Sequence, residues 1–314
     1  MKALITGVAG FVGSHLAENL LAQGISVSGI DSFSDYYPRD LKEANIASLH
    51  KHQDFYFLEE SLQTADLVKL LSDVTHVYHL AAQAGVRKSW GRDFNEYITS
   101  NIEATQILLE ACRGSSLERL IYASSSSVYG DVAAIPMQEN VQLQPVSPYG
   151  VTKLAAEHLC HLYWENYGVP TVSLRYFTVY GPRQRPDMAF NRFLKAILYE
   201  KPITLFGNGE QTRDFTFIED IISATTAAGI RGVPGRVYNI GGGSRVSMNH
   251  VIKLMTQCTN REPIVIHEER QKGDMLDTYA DTTLAQADLG FEPSVTLEEG
   301  IKAEFEWLAE NLSS

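Results

Sequence analysis

The sequence predicts an α/β fold, a doubly wound parallel sheet with a smaller C-terminal lobe. Short β-rich apolar runs alternate with amphipathic stretches through the first half of the 314-residue chain, a pattern typical of parallel strands joined by helices. A glycine-rich turn follows the first run directly. After about Gly181, prolines and glycines break the chain into shorter pieces. We therefore expect the sheet domain at 1–180 and the lobe mainly at 181–314, with parts of about 215–245 returning to the first domain.

Six apolar runs are the expected strands. They span residues 2–6, 26–30, 55–58, 76–80, 119–123 and 171–175. The helix after the first strand is indicated by Leu16, Leu20 and Leu21, which have core spacing, and by Gly24, which ends it. In the later part of the chain we expect helices over 246–258 and 297–312.

The composition excludes several classes of partner. A formal net charge of -12 disfavours nucleic acid and anionic membranes. The opening apolar stretch is too short for a signal peptide, and no run reaches the roughly 18 apolar residues of a membrane span, so we expect a cytoplasmic protein. Cys112, Cys160 and Cys258 lie far apart without a CxxC pair, which fits neither a disulfide framework nor a metal site.

The glycine-rich turn indicates a dinucleotide site. Gly7, Gly10 and Gly13 form a GxxGxxG pattern between the first strand and the first helix, where a Rossmann-type sheet needs a tight turn and close backbone approach to a pyrophosphate. Glycines in such a turn can also be merely structural. Asp31 at the end of the second strand favours NAD over NADP, because a carboxylate there binds ribose hydroxyls and repels a 2′-phosphate.

A tyrosine and a lysine form the candidate catalytic pair. Tyr149 and Lys153 lie one turn apart on a predicted helix. A free phenol has a pKa of about 10, and a neighbouring ammonium would lower it enough for the phenol to act as a base. Such pairs also occur by chance on solvated faces. The serines at 124–127, which end the fifth strand, support the catalytic interpretation because ligands bind at that edge of an open α/β sheet.

These motifs, with the His-Leu-Ala-Ala segment at 79–82 and Asn101, together resemble the extended short-chain dehydrogenase/reductase family, especially its nucleotide-sugar epimerases. The resemblance implies that Tyr149 and Lys153 are catalytic, with Ser125 as the catalytic serine and Ser126 a close second. Glu60-Ser61 stands where the family usually has Gly-Asp, so the adenine contact departs from its pattern. The implied NAD-binding residues are Gly7, Gly10, Phe11, Val12, Gly13, Asp31, Ser32, Ser61, Leu62, Leu80, Ala81, Ala82, Gln83, Asn101, Ser124, Tyr149, Lys153 and Phe177.

A cluster of arginines in the second half predicts a site for a phosphate ester. Arg183, Arg185 and Arg192 lie close together, and Arg213 follows; arginine suits bidentate binding of phosphate or carboxylate. Arg183 is equally well explained as a solvated surface residue. The family resemblance implies a set of residues that contact a UDP-sugar, namely Arg87, Ser127, Thr178, Arg185, Ala189, Phe190, Arg192, Thr204, Phe206, Gln211, Arg213, Gln271 and Asp274.

Three stretches resemble the UDP-glucuronate 4-epimerases within that family. They are 29–31 with 35–37, 82–87, and 178–181 with 185–188. The resemblance implies C4 epimerisation of UDP-glucuronate to UDP-galacturonate through a transient 4-keto sugar, with Tyr149 as base and bound NAD as a recycled hydride acceptor. Burying the sugar carboxylate requires a partner, for which Arg185 and Thr178 are candidates. A homodimer is also implied.

Other functions remain open at this stage. A UDP-glucuronate decarboxylase starts with the same oxidation, and a UDP-hexose 4-epimerase shares most of the motifs. Dehydration is disfavoured because serines at 126 and 127 replace the Asp-Glu pair of the dehydratases. A non-catalytic NAD-sensing protein on the same fold would be a different class, and the intact Tyr149 and Lys153 argue against it.

Overall fold

The computed structural model describes residues 1–131 and 134–312. The strands are β1 (Lys2–Thr6), β2 (Ser26–Ile30), β3 (Phe55–Leu58), β4 (His76–His79), β5 (Arg119–Ser125), β6 (Thr171–Tyr176), β7 (Thr178–Tyr180), β8 (Ile203–Phe206), β9 (Thr212–Phe217), β10 (Val237–Ile240), β11 (Arg245–Ser247) and β12 (Val265–Glu268). The helices are α1 (Phe11–Ala22), α2 (Arg39–Ile46), α3 (Leu67–Leu70), α4 (Phe94–Tyr97), α5 (Ala104–Cys112), α6 (Pro148–Tyr167), α7 (Ala189–Leu198), α8 (Ile218–Arg231), α9 (Met248–Thr259), α10 (Thr283–Leu289) and α11 (Leu297–Leu312).

Seven of the described strands form one parallel sheet in the order β10-β6-β5-β4-β1-β2-β3. The predicted α/β fold with a doubly wound parallel sheet is confirmed. Strand order reverses between β1 and β4, so β1 runs beside both β2 and β4. The crevice at the carboxyl ends of the strands beside such a reversal is where open α/β sheets bind ligands.

The six predicted strands are present, with small differences at their ends. β5 continues to Ser125 and β6 to Tyr176, while β4 stops at His79. The seventh strand, β10, was not predicted. It pairs with β6, where Asn239 lies opposite Arg175. A run of only four residues is hard to recognise as a strand in a part of the sequence that is rich in glycine and proline.

The expected helix over 246–258 begins later than predicted. Residues 245–247 form β11, which pairs antiparallel with β9, and α9 starts at Met248 because the Ser247 side chain accepts a hydrogen bond from the His250 amide. The expectation of a helix from 246 was therefore wrong at its start. The helix predicted over 297–312 has the predicted bounds.

The chain after Gly181 does not stay on one side of the molecule. β9 joins β7 and β11 in a small sheet, whereas α8 packs against α1 and against strands β5 and β6, and β10 extends the large sheet. α11 packs against α7 and α9. The division into two domains near residue 180 stays a prediction.

Burial follows the predicted helix face. Leu16 and Leu20 are fully buried and Leu21 nearly so.

Within residues 1–131 and 134–312, no helix combines the length and apolar character needed to cross a membrane. The same residues contain no cluster of three or more histidine, cysteine or acidic side chains suited to a metal ion. All three cysteines are free thiols.

Candidate active site

The glycine-rich turn has the shape that a dinucleotide needs. Gly7 has a φ of 72°, and a Cβ atom there would lie 2.8 Å from the backbone nitrogen of Ala81. A Cβ atom on Gly13 would lie 2.2 Å from the Gly7 carbonyl oxygen. Side chains at these positions would therefore clash with the backbone and open the turn at the α1 N-terminus, where free amides favour an anionic pyrophosphate. The residues fit NAD at this turn, which Phe11 and Val12 continue into α1.

Asp31 is held in a fixed orientation at the end of β2. Its Oδ2 accepts a hydrogen bond from the Ala9 amide at 3.0 Å, and its Oδ1 accepts one from the Phe33 amide at 2.9 Å. Burial raises the pKa of this carboxyl, opposed by the two amides and by the Lys42 charge. Lys42 is a residue that sequence reasoning missed. It is only 4% exposed and its ammonium donates to the Ser34 carbonyl, but no motif marks a lysine in an ordinary helical stretch.

The other predicted cofactor residues lie on neighbouring strand ends and loops. Asn101, in a π-helical turn at Ile98–Glu103, accepts from the Gln83 amide at 2.7 Å and donates to the Thr152 hydroxyl at 2.9 Å. It thus joins the loop after β4 to α6. Leu62, Gln83, Ser124 and Phe177 are buried, Leu80, Ala81 and Ser61 are half-buried, and Ser32 and Ala82 are exposed.

The start of α6 places Tyr149 against the serine turn. Ser147 caps the helix by accepting a hydrogen bond from the Gly150 amide at 3.1 Å, and Pro148 occupies the first turn. A Cβ atom on Gly150 would lie 2.4 Å from the Ser127 carbonyl oxygen, so α6 and the serine turn are in close contact. The Tyr149 phenol consequently lies near Ser125, which opposes the increase that burial causes in the pKa of Tyr149.

Each serine of the run has a different environment. Ser124 is buried and donates to the Glu157 carboxylate at 2.6 Å. Ser125 contacts Tyr149 and also accepts a hydrogen bond from the Ser127 amide at 3.1 Å. Ser126 is nearly buried in the following turn. Between the two candidates for the catalytic serine, the structure brings Ser125 to the phenol.

Burial dominates the electrostatics of the catalytic pair. It raises the pKa of Tyr149 above its usual value of 10, while the Ser125 hydrogen bond and the Arg185 charge oppose the increase. Burial also lowers the pKa of Lys153 to about 7. Arg185 is thus a second cation, besides the predicted Lys153, that favours the Tyr149 phenolate. The catalytic role of Lys153 stays a prediction.

His79 keeps a neutral ring behind the pair. Burial, followed by the Lys153 charge, lowers its pKa to about 3. The ring nitrogens hydrogen-bond to Thr6 Oγ1 at 2.8 Å and to Thr105 Oγ1 at 2.9 Å. Thr6 also accepts from the Ala81 amide at 3.1 Å, so His79 connects the ends of β1 and β4 to α5.

Arg185 lies beside the phenol with part of its guanidinium already occupied. Its Nε and Nη2 donate to the two oxygens of Asp187 at 3.0 and 3.1 Å. Tyr36 donates to the same carboxylate at 3.0 Å. Asp187 and Tyr36 were not among the predicted site residues, although both lie in stretches that carried the resemblance.

Arg183 is not directed toward the cleft. It adopts a left-handed backbone with a φ of 65°, and its guanidinium pairs with Glu18 of α1 at 2.8 Å. It is therefore neither a phosphate ligand of the cleft nor a freely solvated side chain.

A cavity of about 290 Å³ gathers residues from distant parts of the chain. Phe206, Gln211, Arg213 and Asp274, all predicted to contact a UDP-sugar, line it. Arg213 donates to the carbonyl oxygens of residues 212, 275 and 276 at 2.8, 2.6 and 2.9 Å. These bonds fix its guanidinium at the wall of the cavity.

A second cavity of about 400 Å³ adjoins the first, and Arg270 and Asp274 line both. The predicted residue Gln271 lines this second cavity, and Arg87 pairs with Asp274 at 2.7 Å. Arg270 was missed, although it stands next to Gln271. The sequence signal that could have identified Arg270 is its positive charge directly beside Gln271, which was predicted to bind the substrate.

The remaining predicted substrate residues line neither cavity. Phe190 is 1% exposed and its ring centroid lies 4.7 Å from that of Phe215 in the core. Ala189 and Arg192 share its helix, Thr204 lies in β8, Thr178 begins β7, and Ser127 lies in the turn that follows β5. Their contacts with a UDP-sugar stay predictions.

Comparison with known proteins agrees with this geometry. Residues 3–241 match the NAD dependent epimerase/dehydratase family. The chain is 46% identical to an uncharacterized UDP-glucose epimerase, YtcB, of Bacillus subtilis (strain 168), over 98% of each protein. It is 38% identical to a UDP-glucuronate 4-epimerase of Thermodesulfobacterium geofontis, over 98% of this chain and 96% of that one.

A solved structure is similar over the whole chain. The crystal structure of UDP-glucuronic acid 4-epimerase from Bacillus cereus in complex with UDP-glucuronic acid and NAD superposes with a TM-score of 0.97 at 46% identity, covering 99% of this chain and 100% of that one. The resemblance read from the motifs is thus confirmed: this chain belongs to the NAD dependent epimerase/dehydratase family.

Proposed function

We propose that the protein is an NAD-dependent isomerase that interconverts UDP-glucuronate and UDP-galacturonate at C4. The observation that carries this proposal is the placement of Tyr149 against Ser125, with Arg185 beside the phenol, at the carboxyl edge of the sheet and next to the glycine turn. Binding of UDP-glucuronic acid and NAD by the similar Bacillus cereus enzyme supports it.

The side chains suit oxidation of a sugar hydroxyl followed by reduction from the other side. When bound, NAD supplies a reversible hydride acceptor. Tyr149 would take the proton of the C4 hydroxyl while Ser125 hydrogen-bonds to the same oxygen. After the 4-keto sugar has rotated in the cleft, Tyr149 would return the proton to the re-formed hydroxyl. The cofactor ends each turnover in its starting state, so the reaction is an isomerisation.

The sugar carboxylate needs a cation in this cleft. Arg185 is the candidate, with Thr178 near it in sequence, and its charge already acts on Tyr149. Asp187 occupies two of its N–H groups, so a uronate would share the guanidinium with Asp187 or displace it. The UDP group would lie along the two cavities lined by Arg270 and Asp274.

A UDP-hexose 4-epimerase is the second candidate. The specific observation in its favour is the Arg185–Asp187 pair, because a guanidinium that already has a carboxylate partner leaves the cleft closer to neutral. The similar Bacillus subtilis protein, named as a UDP-glucose epimerase, also supports it.

We also propose that two copies of the chain form a homodimer. α6 packs beside α5 and the π-helical turn, and apolar side chains on these helices remain exposed, among them Ile98, Val151 and Leu162. Sedimentation equilibrium of the purified protein tests this, and a single monomer mass at micromolar concentration would contradict it.

A cytoplasmic location is proposed on the free state of the three cysteines.

Proton NMR of the reaction tests the function. The purified protein, without added NAD, is incubated with UDP-glucuronate, and in a parallel sample with UDP-glucose. We expect UDP-galacturonate, recognised by its changed H4 coupling, with no carbon dioxide released. UDP-xylose and carbon dioxide would identify a decarboxylase. Conversion of UDP-glucose alone would identify a hexose epimerase.

A further inference from the structure

We propose that Glu157 is a positioning residue of this active site, which acts through Lys153 and through the strand end that carries Ser125. Glu157 follows Tyr149 and Lys153 at successive turns of α6, so the three side chains share one face of the helix. Glu157 is 4% exposed and Lys153 is 3% exposed. The inference rests on the proposed function only in that a sugar hydroxyl is oxidised at Tyr149.

The Glu157 carboxylate is fully hydrogen-bonded by two side chains. Its Oε1 accepts from Arg175 Nη2 at 2.6 Å, and its Oε2 accepts from Arg175 Nε at 3.1 Å and from Ser124 Oγ at 2.6 Å. Arg175 is completed on its far side, where Nη1 donates to the Tyr129 hydroxyl at 2.8 Å and to the Glu139 carbonyl at 3.1 Å. These hydrogen bonds therefore fix the carboxylate in a single position.

These bonds connect the catalytic helix to two adjacent strand ends. Ser124 and Arg175 are paired across β5 and β6. Ser124 precedes Ser125, which acts on the pKa of Tyr149, and Arg175 lies two residues before Phe177. Glu157 thus sets the position of α6 relative to the strand that supplies the serine.

The negative charge of Glu157 also acts on Lys153. Burial lowers the pKa of Lys153, and Cys160 and Glu157 oppose this effect. Glu157 is the anion among the groups that face the ammonium, because burial raises the pKa of the Cys160 thiol and keeps the other neighbours neutral. Those neighbours are His79 of β4, Tyr122 of β5 and Tyr149 of α6.

Stability alone is a weak reason for this arrangement. A buried ion pair costs desolvation, and packed apolar side chains of similar volume often stabilise a protein as well or better. The Glu157 carboxylate of this pair also lies one helical turn from the buried Lys153, so it can have a second role. That role is to keep Lys153 charged while α6 stays in register with Ser125.

The test is the pH dependence of turnover in a Glu157→Gln variant. Loss of the carboxylate charge should lower the pKa of Lys153, so its ammonium is lost at lower pH. We expect the falling, high-pH limb of kcat to move to lower pH by about one unit, with a smaller change in KM. Glu165→Gln is the matched control, because Glu165 lies on the same helix but is exposed; it should leave both limbs unchanged.

A second variant separates charge from folding. Glu157→Gln leaves Arg175 buried without its anion and is expected to lower Tm, whereas Glu157→Gln with Arg175→Met removes both charges. The double variant should recover Tm but keep the displaced limb. A wild-type limb in either folded variant, with activity lowered equally at all pH values, would show a merely structural role and overturn the inference.

The substrate for these profiles is whichever of UDP-glucuronate and UDP-glucose the wild-type protein converts. Both reactions begin with the same hydroxyl oxidation at Tyr149. A failure of the uronate assignment appears in the wild-type protein, whereas a failure of the Glu157 inference appears only in the variants.

Discussion

The proposed role of Tyr149 as a base depends on its neighbours. Burial by itself raises the pKa of its phenol, and the Ser125 hydrogen bond and the Arg185 charge act in the opposite direction. The positive charge of oxidised nicotinamide would add to theirs when NAD is bound. Base strength at this position is therefore a property of the group of side chains.

Replacement of Tyr149 by Phe should remove the proton acceptor and leave the cleft intact. We expect kcat to fall by about 10³-fold, within the usual range for a general base, with NAD still bound to the purified variant. Tyr167→Phe is the control, because Tyr167 is exposed at the other end of the same helix and should retain full activity. An active Tyr149→Phe enzyme would contradict the assignment of the base.

Replacement of Arg185 by Met should change both binding and pH dependence. Arg185 lowers the pKa of Tyr149, so its loss should raise that pKa and move the rising, low-pH limb of kcat to higher pH. KM for UDP-glucuronate should also increase, and KM for UDP-glucose should increase less. Steady-state kinetics across pH with both substrates measure these effects.

Arg183→Met is the matched control for Arg185, because Arg183 pairs with Glu18 of α1 and not with groups in the cleft. Its low-pH limb should coincide with that of the wild type. Equal effects of the two substitutions would mean that the cation beside the phenol has been misassigned.

At the scale of the element, the turn between β1 and α1 depends on the absence of side chains. A Cβ atom on Gly13 would overlap the Gly7 carbonyl oxygen at 2.2 Å, and because that oxygen belongs to the backbone it cannot move without opening the turn. The Gly7 amide closes that turn by donating to the Ile30 carbonyl at 2.8 Å. Cofactor binding and strand pairing consequently depend on the same few atoms.

Gly13→Ala should therefore yield protein that purifies with little NAD. Gly24→Ala is the control: its added Cβ would meet nothing within 4 Å, but its φ of 75° is strained for alanine. The control should lose some thermal stability and keep its NAD, as measured by absorbance of the released cofactor. If the Gly13 variant keeps NAD as well, the turn is not the pyrophosphate site.

Among the secondary-structure elements, those in a periodic pattern could be predicted from the sequence, whereas the irregular ones could not. The six strands of the first half alternate with helices, so each run supports the next, whereas β10 is four residues long and joins the sheet only through β6. β11 took the first positions of a predicted helix because residues 245–247 pair with β9. Such pairing between distant segments leaves no periodic signal.

The site divides in the same way. Tyr149, Lys153 and the serines could be found because they occur in a motif. Lys42, Asp187 and Arg270 could not, because each is a single charged residue whose role depends on a partner far away in the chain or on a cavity wall. Arg183 shows the reverse case, a residue with the right chemistry that the backbone directs toward α1.

At the scale of the whole molecule, the net charge of -12 is reconciled with an anionic substrate by pairing. Three cations at the cleft have a carboxylate partner: Arg87 with Asp274, Arg185 with Asp187, and Arg270 with Asp131. The local field is thus moderated without substrate. A UDP-sugar would take over some of these partners as it binds.

The chain also crosses between the two halves more than once. α8 packs on α1, whose N-terminus lies at the glycine-rich turn, and β9 immediately before α8 carries Arg213 at the wall of the cavity. The proposed cofactor and sugar sites are therefore connected by elements that pack against each other, as expected for an enzyme in which one cofactor molecule serves both half-reactions at the same carbon.

The most direct test of that account follows an isotope at C4. The protein is incubated with UDP-glucuronate carrying deuterium at C4, and the product is examined by NMR and mass spectrometry. We predict UDP-galacturonate that retains the deuterium at C4, formed more slowly than from unlabelled substrate, because the hydride leaves that carbon and returns to it. Loss of the deuterium to water, or a product unchanged at C4, would contradict the proposed epimerisation.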